Sequence, residues 1–430
     1  MIQRFKQVTV IYEANVRLWL LGGQKNITMM DMAHSKHEKF KGQHWGLVSQ
    51  DGDHKTITIA WGICTQETEE TYTTFLKDLR DFKLDGVNVI KEAMDHKGHV
   101  NLSDRFKGIP AAQANVFPSM RGKSCCKHMI PNIARDKGVA NFNPYAQGFF
   151  WKAQQAVTKH GFSAALDELK AVCPGAVTYL NKIADEKWAL YPDAMTQALY
   201  EHKTSNLIVG RNSKFVPARG LAPLGALDNI TELVMKEISD KRAAATKRYD
   251  SGKGHLLTKW AAGQYEQQRS LSSHYTVTSS SANVFFVAVG GGGRHRVDLG
   301  KNQCACSFWK QLGLPCRHAI AAANFDGRMS DFKEFITWSF EPMYLMVNYT
   351  KALTDSICEV IDLATLDPDG ITKPCLNVKQ PGRPRIRRIR SAGDTAAGGG
   401  TTRRKQKTST CGSCGETGHN ERTCINQQWG

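Results

Sequence analysis

Three cysteines and a histidine occur close together in the chain with the spacing of a metal site. Cys304, Cys306, Cys316 and His318 form the pattern C-x-C-x9-C-x-H. Three thiolates and one imidazole fill the four tetrahedral positions of a structural zinc ion and leave none open. Because the chain must turn back for all four side chains to meet, this pattern constrains the local fold more than any other feature. The alternative, buried cysteines beside an unrelated histidine, leaves the complete ligand set unexplained.

A second set of ligands has the spacing C-x2-C-x4-H-x4-C. Its members are Cys411, Cys414, His419 and Cys424. A segment as short as residues 411–424 cannot bury a core, so bound metal must supply its folding free energy. The sequence therefore predicts two structural zinc ions per chain.

The composition restricts where such a protein works. The chain has 430 residues, enough for several domains, and 12 cysteines. No apolar run approaches the roughly 18 residues that span a bilayer, and the first residues lack the apolar stretch of a secretory leader. We therefore expect no membrane span and a reducing compartment, in which clustered cysteines bind metal rather than form disulfides.

Positive charge is concentrated in one segment. The chain has 57 Lys and Arg against 40 Asp and Glu, and residues 379–408 hold ten of the basic residues with a single Asp. A concentrated cationic segment favours a polyanionic partner, and nucleic acid is the usual one. The arginines predicted to contact it are Arg383, Arg385, Arg387, Arg388 and Arg390.

Residues 381–385, Pro-Gly-Arg-Pro-Arg, resemble the core of an AT-hook. A Gly-Arg-Pro turn can lie flat in a narrow A·T-rich minor groove, whose negative potential attracts arginine. A nuclear-import signal is the alternative explanation of the same residues. Either interpretation predicts a nuclear protein.

The apolar pattern predicts an α/β layer in the first third of the chain. Residues 24–64 have the pattern of three strands, 67–82 that of an amphipathic helix, and 100–103 that of a further strand. Strands and helices in this order are typical of an α/β domain. Later segments are predicted as helices at 146–200 and 228–245 and as a strand at 284–289.

Two aspartates stand at the ends of predicted strands. Asp31 ends the first strand, and Asp104 follows the strand at 100–103. In a ribonuclease-H-like sheet the first and fourth strands are neighbours, so these carboxylates would converge. With a third carboxylate they can hold two divalent cations, Mg²⁺ or Mn²⁺, for phosphodiester chemistry. The alternative is that both aspartates cap turns.

The chain resembles the Mutator-like element (MULE) transposases over nearly its whole length. Residues 31–36 stand where that family has Asp-x-Thr-His-x-Lys, and residues 103–109 match its second-aspartate motif. Cys125 and His128 fit the family's C-x2-H element, with Cys126 as the alternative cysteine. The resemblance implies a ribonuclease-H-like α/β domain with a helical insertion and DNA as the partner.

The two zinc patterns carry further resemblances. Residues 297–319 resemble a SWIM zinc finger, and residues 411–424 resemble a zinc knuckle of the CCHC type. Zinc knuckles commonly bind single-stranded nucleic acid, although some bind proteins. A protein partner is also the expectation for the SWIM finger.

The resemblances imply an order of segments along the chain. They are a ribonuclease-H-like core at 22–135, a helical insertion with closing helices at 136–260, a SWIM finger region at 270–330, a helical tail at 331–372, a disordered basic linker at 373–408 and a zinc knuckle at 409–426.

The chain departs from the family at the third carboxylate. Residues 204–212 align with the family's Thr-Ser-Asn-x-x-Glu-Ser-x-Asn element, but Val209 occupies the glutamate position. Glu168 and Glu186 are the alternative third ligands. The family's upstream DNA-binding module is also expected before the first strand, where this sequence has few residues. We therefore expect a transposon-derived zinc protein that binds nucleic acid without chemistry; the alternative is an active metal-dependent DDE-type transposase.

Overall fold

The larger of two sheets has six strands in the order β1-β4-β3-β2-β5-β6. A computed structural model describes residues 5–106, 108–251, 254–288 and 293–355. The strands of the larger sheet are β1 (Gln7–Ile11), β2 (Ile27–His34), β3 (Gln43–Gln50), β4 (Thr56–Cys64), β5 (Val100–Ser103) and β6 (Arg121–Ser124). The predicted basic linker at 373–408 and the zinc knuckle at 409–426 lie outside the described residues.

The larger sheet is antiparallel on one side and parallel on the other. Strands β1 to β4 pair antiparallel, whereas β2, β5 and β6 run parallel. Ile27 is paired with Val100 and Met29 with Leu102, so β2 and β5 end at the same edge. Parallel neighbours need a crossover connection, here the helices between β4 and β5. The predicted α/β class is confirmed.

Helices cover both faces of the larger sheet and continue beyond it. The first group is α1 (Glu13–Leu21), α2 (Glu69–Asp81), α3 (Val89–Met94), α4 (Gly108–Val116) and α5 (Cys126–Arg135). The second group is α6 (Pro144–Gln155), α7 (Lys159–Val172), α8 (Pro174–Leu180), α9 (Asn206–Lys214), α10 (Pro223–Tyr249) and α11 (Lys259–Ser272). Among the described residues, no helix is both long and apolar enough to cross a membrane.

Strands β3 and β4 are buried along almost their entire length because both faces of the sheet are covered. On one face, α2 contributes the apolar stripe that the sequence predicts, from Tyr72 through Phe75 to Leu79. The Thr68 side chain caps this helix by accepting a hydrogen bond from the Thr71 amide. On the other face, α10 contributes Ile230, Val234 and Ile238 to the core.

The helical insertion has a core of its own. Helices α5 to α8 enclose buried apolar side chains that do not belong to the core of the larger sheet. At the centre, the rings of Phe150 and Trp188 stack with centroids 5.4 Å apart. Buried Lys123, on β6, donates to the carbonyl oxygens of Glu186 and Ala189 at 2.8 Å and thereby ties the insertion to the sheet.

A smaller antiparallel sheet follows α11. Its strands, in the order β10-β9-β8-β7, are β7 (Thr276–Ser279), β8 (Val284–Ala288), β9 (Arg294–Asp298) and β10 (Gln303–Cys304). The remaining helices are α12 (Phe308–Leu312), α13 (Arg317–Phe325), α14 (Phe332–Ser339) and α15 (Met346–Thr354). Helix α15 returns to the larger sheet, where Met346 and Leu353 join the same core as α2.

Three elements differ from the sequence predictions. The predicted core begins at residue 22, whereas β1 and α1 precede it, and β1 pairs with β4 in the larger sheet. Strand β2 continues to His34, so Asp31 lies within the strand rather than at its end. Helix α11 was not predicted; its few buried positions include Ala261 and Tyr265, which give only a weak apolar pattern.

Substitution of Gly46, on β3, tests how closely α9 packs against the larger sheet. A Cβ added at Gly46 would lie 2.5 Å from the Trp61 ring and 2.8 Å from Ile208 Cδ1. We expect Gly46→Ala to destabilise the fold by about 1–3 kcal/mol, the usual cost of overpacking. The matched control is Gly210→Ala on α9, where an added Cβ meets nothing within 4 Å. There we expect a gain of up to about 1 kcal/mol from helix propensity. Denaturant unfolding of the zinc-loaded protein measures both, and equal effects would contradict this packing.

Candidate functional site

The four predicted zinc ligands converge at the end of the smaller sheet. The ligand atoms of Cys304, Cys306, Cys316 and His318 all lie within 4.8 Å of one another. His318 Nδ1 lies 3.6 Å from Cys304 Sγ and 3.8 Å from Cys316 Sγ. Tetrahedral zinc with Zn–S near 2.3 Å and Zn–N near 2.0 Å requires an S···N separation of about 3.5 Å. The side chains therefore fit a zinc ion, which would be bound through the Nδ1 atom of the imidazole.

Local backbone geometry explains how this spacing closes the site. Cys304 ends β10, and Ser307 then takes a left-handed conformation with φ of 62°, which turns the chain into α12. Gly313 ends that helix with φ of 72°, a value that favours glycine. Cys316 is the N-cap of α13, and its sulfur accepts a hydrogen bond from the Ala319 amide at 3.4 Å. The first turn of α13 therefore presents His318 to the three sulfurs.

Gln311 joins the zinc site to the rest of the protein. The two hydrogens of its side-chain Nε2 are shared among the carbonyl oxygens of Asp193, Ala194 and Gln197, at 2.7–3.2 Å from the nitrogen. Its Oε1 accepts a hydrogen bond from the Leu199 amide at 3.1 Å. Gln311 is buried, and buried amide groups with satisfied partners fix one arrangement of the elements that they join. The zinc site is therefore docked on the chain segment that leads into α9.

A second group of contacts holds the zinc site from its C-terminal side. Trp309 Nε1 donates to the Ser339 carbonyl oxygen at 2.9 Å, and the Tyr344 hydroxyl donates to the Leu312 carbonyl oxygen at 2.7 Å. All four residues are buried. The described part of the predicted tail at 331–372 is therefore hydrogen-bonded to the loop that carries the zinc ligands.

The two predicted catalytic aspartates lie beside each other at the edge of the larger sheet. Asp31 is on β2, and Asp104 follows β5, the parallel neighbour of β2. Asp104 Oδ1 accepts a hydrogen bond from the Phe106 amide at 3.1 Å, which orients its carboxylate. Burial, together with the neighbouring Asp104 carboxylate, raises the pKa of Asp31 to about 7. The structure thus brings together the pair that the sequence singled out.

Glu67 is a third carboxylate at this site, and the sequence reasoning missed it. It lies in the turn between β4 and α2, where its Oε1 accepts a hydrogen bond from the buried Tyr72 hydroxyl at 3.0 Å. Burial is the main cause that raises the pKa of Glu67, and the Asp104 charge adds to it. Glu67 also contributes to the raised pKa of Asp31. It directly precedes the N-cap Thr68 and the first-turn acids Glu69 and Glu70, and nothing in the sequence distinguishes it from those two.

Helix α9 places the predicted third-ligand position next to this site. Asn212 Nδ2 donates to Asp31 Oδ2 at 3.2 Å. Val209 lies about one helical turn before Asn212 on the same helix and is half-buried. Val209 is therefore on the helix that faces the aspartates, but its side chain has no oxygen to offer a cation.

Cys125 and His128 adjoin the aspartates at the start of α5. Cys125 Sγ accepts a hydrogen bond from the Ser205 amide at 3.2 Å. Burial opposes ionisation of the thiol, but hydrogen bonds from His128 and Ser205 outweigh it and lower the pKa of Cys125 to about 7. The interaction with Cys125, helped by the Asp31 and Asp104 charges, raises the pKa of His128. The alternative cysteine, Cys126, faces the insertion core.

The two alternative third ligands lie elsewhere. Glu168 is on the exposed surface of α7, where its carboxylate forms an ion pair with Lys152 at 2.6 Å. Glu186 is exposed, and its backbone carbonyl rather than its carboxylate meets Lys123. Neither is among the charged groups that shift the pKa of Asp31.

The remaining predicted site residues lie outside the described residues. They are the knuckle ligands Cys411, Cys414, His419 and Cys424 and the arginines Arg383, Arg385, Arg387, Arg388 and Arg390.

Comparison with known families matches two segments of the chain. Residues 27–132 match the MULE transposase domain, and residues 285–326 match the SWIM zinc finger. The predicted resemblance to both families is confirmed over these segments. The first contains Asp31, Glu67 and Asp104, the second contains all four converging zinc ligands, and Val209 lies between the two. No curated protein matched the chain.

Metal analysis tests the zinc sites. We expect two zinc ions per full-length chain, with one lost in Cys316→Ala and the other in Cys424→Ala, because each change removes one of four ligands. Cys173→Ala is the matched control, since Cys173 is buried, belongs to neither predicted ligand set and donates its thiol to the Ala140 carbonyl oxygen. Elemental analysis after purification without chelators gives the stoichiometry. A zinc-free wild type would refute both sites.

Proposed function

We propose that this chain is a transposase-derived zinc protein that binds nucleic acid and does not cut it. The observation that carries the proposal is the make-up of the carboxylate site. The aspartate pair is in place and α9 lies against it, yet Val209 stands where a third carboxylate would complete the family's triad. Two-metal phosphodiester chemistry needs enough ligand oxygens to fix both cations.

We assign the α/β domain to the ribonuclease-H-like class. Three antiparallel strands (β4, β3 and β2) followed by two parallel strands (β5 and β6) support this assignment, with β1 as an additional edge strand. Asp31 lies on the first of those five strands in chain order, and Asp104 directly follows the fourth. The match of residues 27–132 to the MULE transposase domain supports the same assignment.

The zinc ion at Cys304, Cys306, Cys316 and His318 has a structural role in this proposal. Four protein ligands leave no open position for a substrate. The finger also presents a surface beyond its docking contacts, and we propose a protein partner for that surface. Zinc at the second ligand set, Cys411 to Cys424, would fold the knuckle as a separate nucleic-acid contact.

The basic segment supplies the affinity for nucleic acid in this proposal. Residues 379–408 carry ten basic side chains, and each one that neutralises a phosphate releases condensed counterions. Duplex DNA is the proposed partner of the arginines around Arg383, and single-stranded nucleic acid that of the knuckle. A nuclear location is part of the proposal, because an AT-hook and an import signal both require it.

A second candidate function is metal-dependent DNA strand cleavage and transfer. The pair of Asp31 and Asp104 favours it, and Glu67 lies near enough for its charge to act on Asp31. Any Mg²⁺ or Mn²⁺ held there would supply Lewis-acid activation of a phosphate. The two functions differ in whether phosphodiester bonds break.

Salt dependence tests nucleic-acid binding by the full-length chain. We expect affinity for duplex DNA to fall steeply between about 50 and 200 mM salt, by roughly a thousandfold or more if six or more phosphates are contacted. Fluorescence anisotropy with labelled duplexes measures it. Affinity that does not change with salt would contradict the proposal.

Base preference distinguishes an AT-hook from an import signal. An AT-hook should prefer A·T-rich duplex, and Arg383→Ala should remove that preference while leaving most of the affinity. Arg403→Ala is the matched control, because it removes the same charge outside the Gly-Arg-Pro turn. Equal affinity of the wild type for A·T-rich and G·C-rich duplexes would favour the import signal.

Plasmid nicking in Mn²⁺ tests the absence of chemistry. We expect wild type to leave supercoiled DNA intact, since a hydrocarbon side chain at position 209 provides no ligand. Val209→Glu restores the missing carboxylate, and cleavage in that variant alone would identify a decayed triad. Cleavage by the wild type that disappears in Asp104→Ala would establish the second function instead.

A further inference from the structure

We propose that a cavity between the helical insertion and the loop that carries the zinc ligands binds one unstacked base of a single-stranded nucleic acid. The cavity has a volume of about 470 Å³ and is lined by the end of α6 and by residues from the segments 199–203 and 306–312. The inference rests on the proposed nucleic-acid binding, and it gives the folded part of the chain a contact of its own. The aspartates of the larger sheet do not line this cavity.

The cavity walls combine apolar side chains with a small number of polar ones. They include Leu199, Phe308, Leu312, Gln154, Glu201 and Lys203. Concave sites of about 300–1,000 Å³ with mainly apolar walls and a few polar groups are typical of small-ligand binding. The volume of this cavity therefore suits a ligand of about the size of a nucleoside.

Gln154, on α6, provides the observation that indicates a ligand. It is 4% exposed, and its Oε1 has no hydrogen-bond partner among the described residues. Its backbone is held in place, because the Leu190 amide donates to the Gln154 carbonyl oxygen at 3.0 Å. A buried amide oxygen without a partner costs free energy. A ligand N–H group at this wall would satisfy the Gln154 oxygen.

The backbone at residues 200 and 201 provides a second observation. Tyr200 and Glu201 are consecutive left-handed residues with φ of 48° and 63°, and neither is glycine. Gln311 holds them there, because its backbone oxygen accepts a hydrogen bond from the Tyr200 amide at 3.1 Å. Unfavourable conformations that the surrounding contacts enforce are concentrated at binding sites. At this wall they place Glu201 against the cavity.

The hydrogen-bonding groups of the cavity fit a base that carries an exocyclic amino group. Gln154 Oε1 and the Glu201 carboxylate are acceptors, and adenine, cytosine and guanine each have an amino group that can donate. Phe308 adds an aromatic ring. Unstacked bases of single strands are recognised by stacking on such rings and by hydrogen bonds to their edges. We therefore expect thymine and uracil, which lack the amino group, to bind more weakly.

Lys203 supplies the positive charge for the phosphate that accompanies the base. Its Nζ lies 5.1 Å from the centroid of the Trp151 ring, a cation–π contact that holds the ammonium group beside the insertion. Lysine binds phosphate as a point charge. Glu201 and Lys203 together favour a ligand that has both donor groups and a negative charge, as a nucleotide has. A basic or an acidic peptide side chain would match only one of these two charges.

Photocrosslinking of the zinc-loaded, full-length protein tests the inference. The probe is a single-stranded oligonucleotide that contains one 5-iodo-2′-deoxycytidine, and mass spectrometry of the digested product locates the crosslinked residue. We expect a crosslink at Phe308. The probe concentration for half-maximal crosslinking there should rise by roughly three- to tenfold in Gln154→Leu, the effect of one hydrogen bond. Gln267→Leu is the matched control, because Gln267 is exposed on α11 and does not line the cavity. It should crosslink as wild type does.

A second probe tests the assigned class of base. With 5-iodo-2′-deoxyuridine at the same position, half-maximal crosslinking at Phe308 should require a higher concentration, because uracil has no amino group to donate. Equal concentrations for the two probes would contradict the role of the acceptors Gln154 and Glu201.

Two further measurements make each outcome decisive. Thermal unfolding should show Gln154→Leu to be at least as stable as wild type, because the change removes a buried oxygen without a partner. No crosslink at Phe308, or equal half-maximal concentrations in wild type and Gln154→Leu, would overturn the inference and favour a protein side chain as the occupant. Anisotropy with duplex DNA is measured separately, so loss of that affinity would instead refute the proposed nucleic-acid binding.

Discussion

The parallel pairing of β2 with β5 is the constraint on which the carboxylate site depends. It places Asp31 and the residue after Ser103 at one edge of the sheet, and it requires the crossover through α2 and α3. The crossover begins with the turn between β4 and α2, and Glu67 lies in that turn. Gly46 is paired with Asp31 across β2 and β3, and its lack of a side chain lets α9 approach. Asn212 reaches Asp31 through this approach.

Buried hydrogen bonds connect the zinc site to the segment that packs against the larger sheet. Gln311, within the zinc ligand loop, makes four hydrogen bonds to the segment that leads into α9. Residues after α13 hold the ligand loop on its other side. Trp309 donates to the Ser339 carbonyl oxygen, and the Tyr344 hydroxyl donates to the Leu312 carbonyl oxygen. Loss of zinc would release the loop that holds Gln311 and leave its partners buried without hydrogen bonds. Zinc bound at these four ligands would therefore stabilise the segment that leads into α9 as well as the finger.

Features that depend on a short ligand spacing or on a periodic apolar pattern could be predicted from the sequence. The pattern from Cys304 to His318 predicted that these four side chains converge, and they do, because local turns bring them together. The stripe on α2 was found for the same reason. The sequence did not predict β1, which gains its place only by pairing with β4, more than forty residues away. Glu67 was missed because its neighbours in sequence are ordinary first-turn acids, and only the tertiary contact through Tyr72 and Phe106 distinguishes it.

Cation binding and strand cleavage make different demands on the same carboxylates. Burial is the main cause that raises the pKa of Asp31, and the Asp104 and Glu67 charges add to it. One divalent cation offsets most of this charge, whereas a second would need further negative ligands to be held nearby. The valine at position 209 offers no ligand oxygen, while Asn212 on the same helix donates a hydrogen bond to Asp31. Two-metal chemistry at this site would therefore need a ligand oxygen that the side chain at position 209 does not supply.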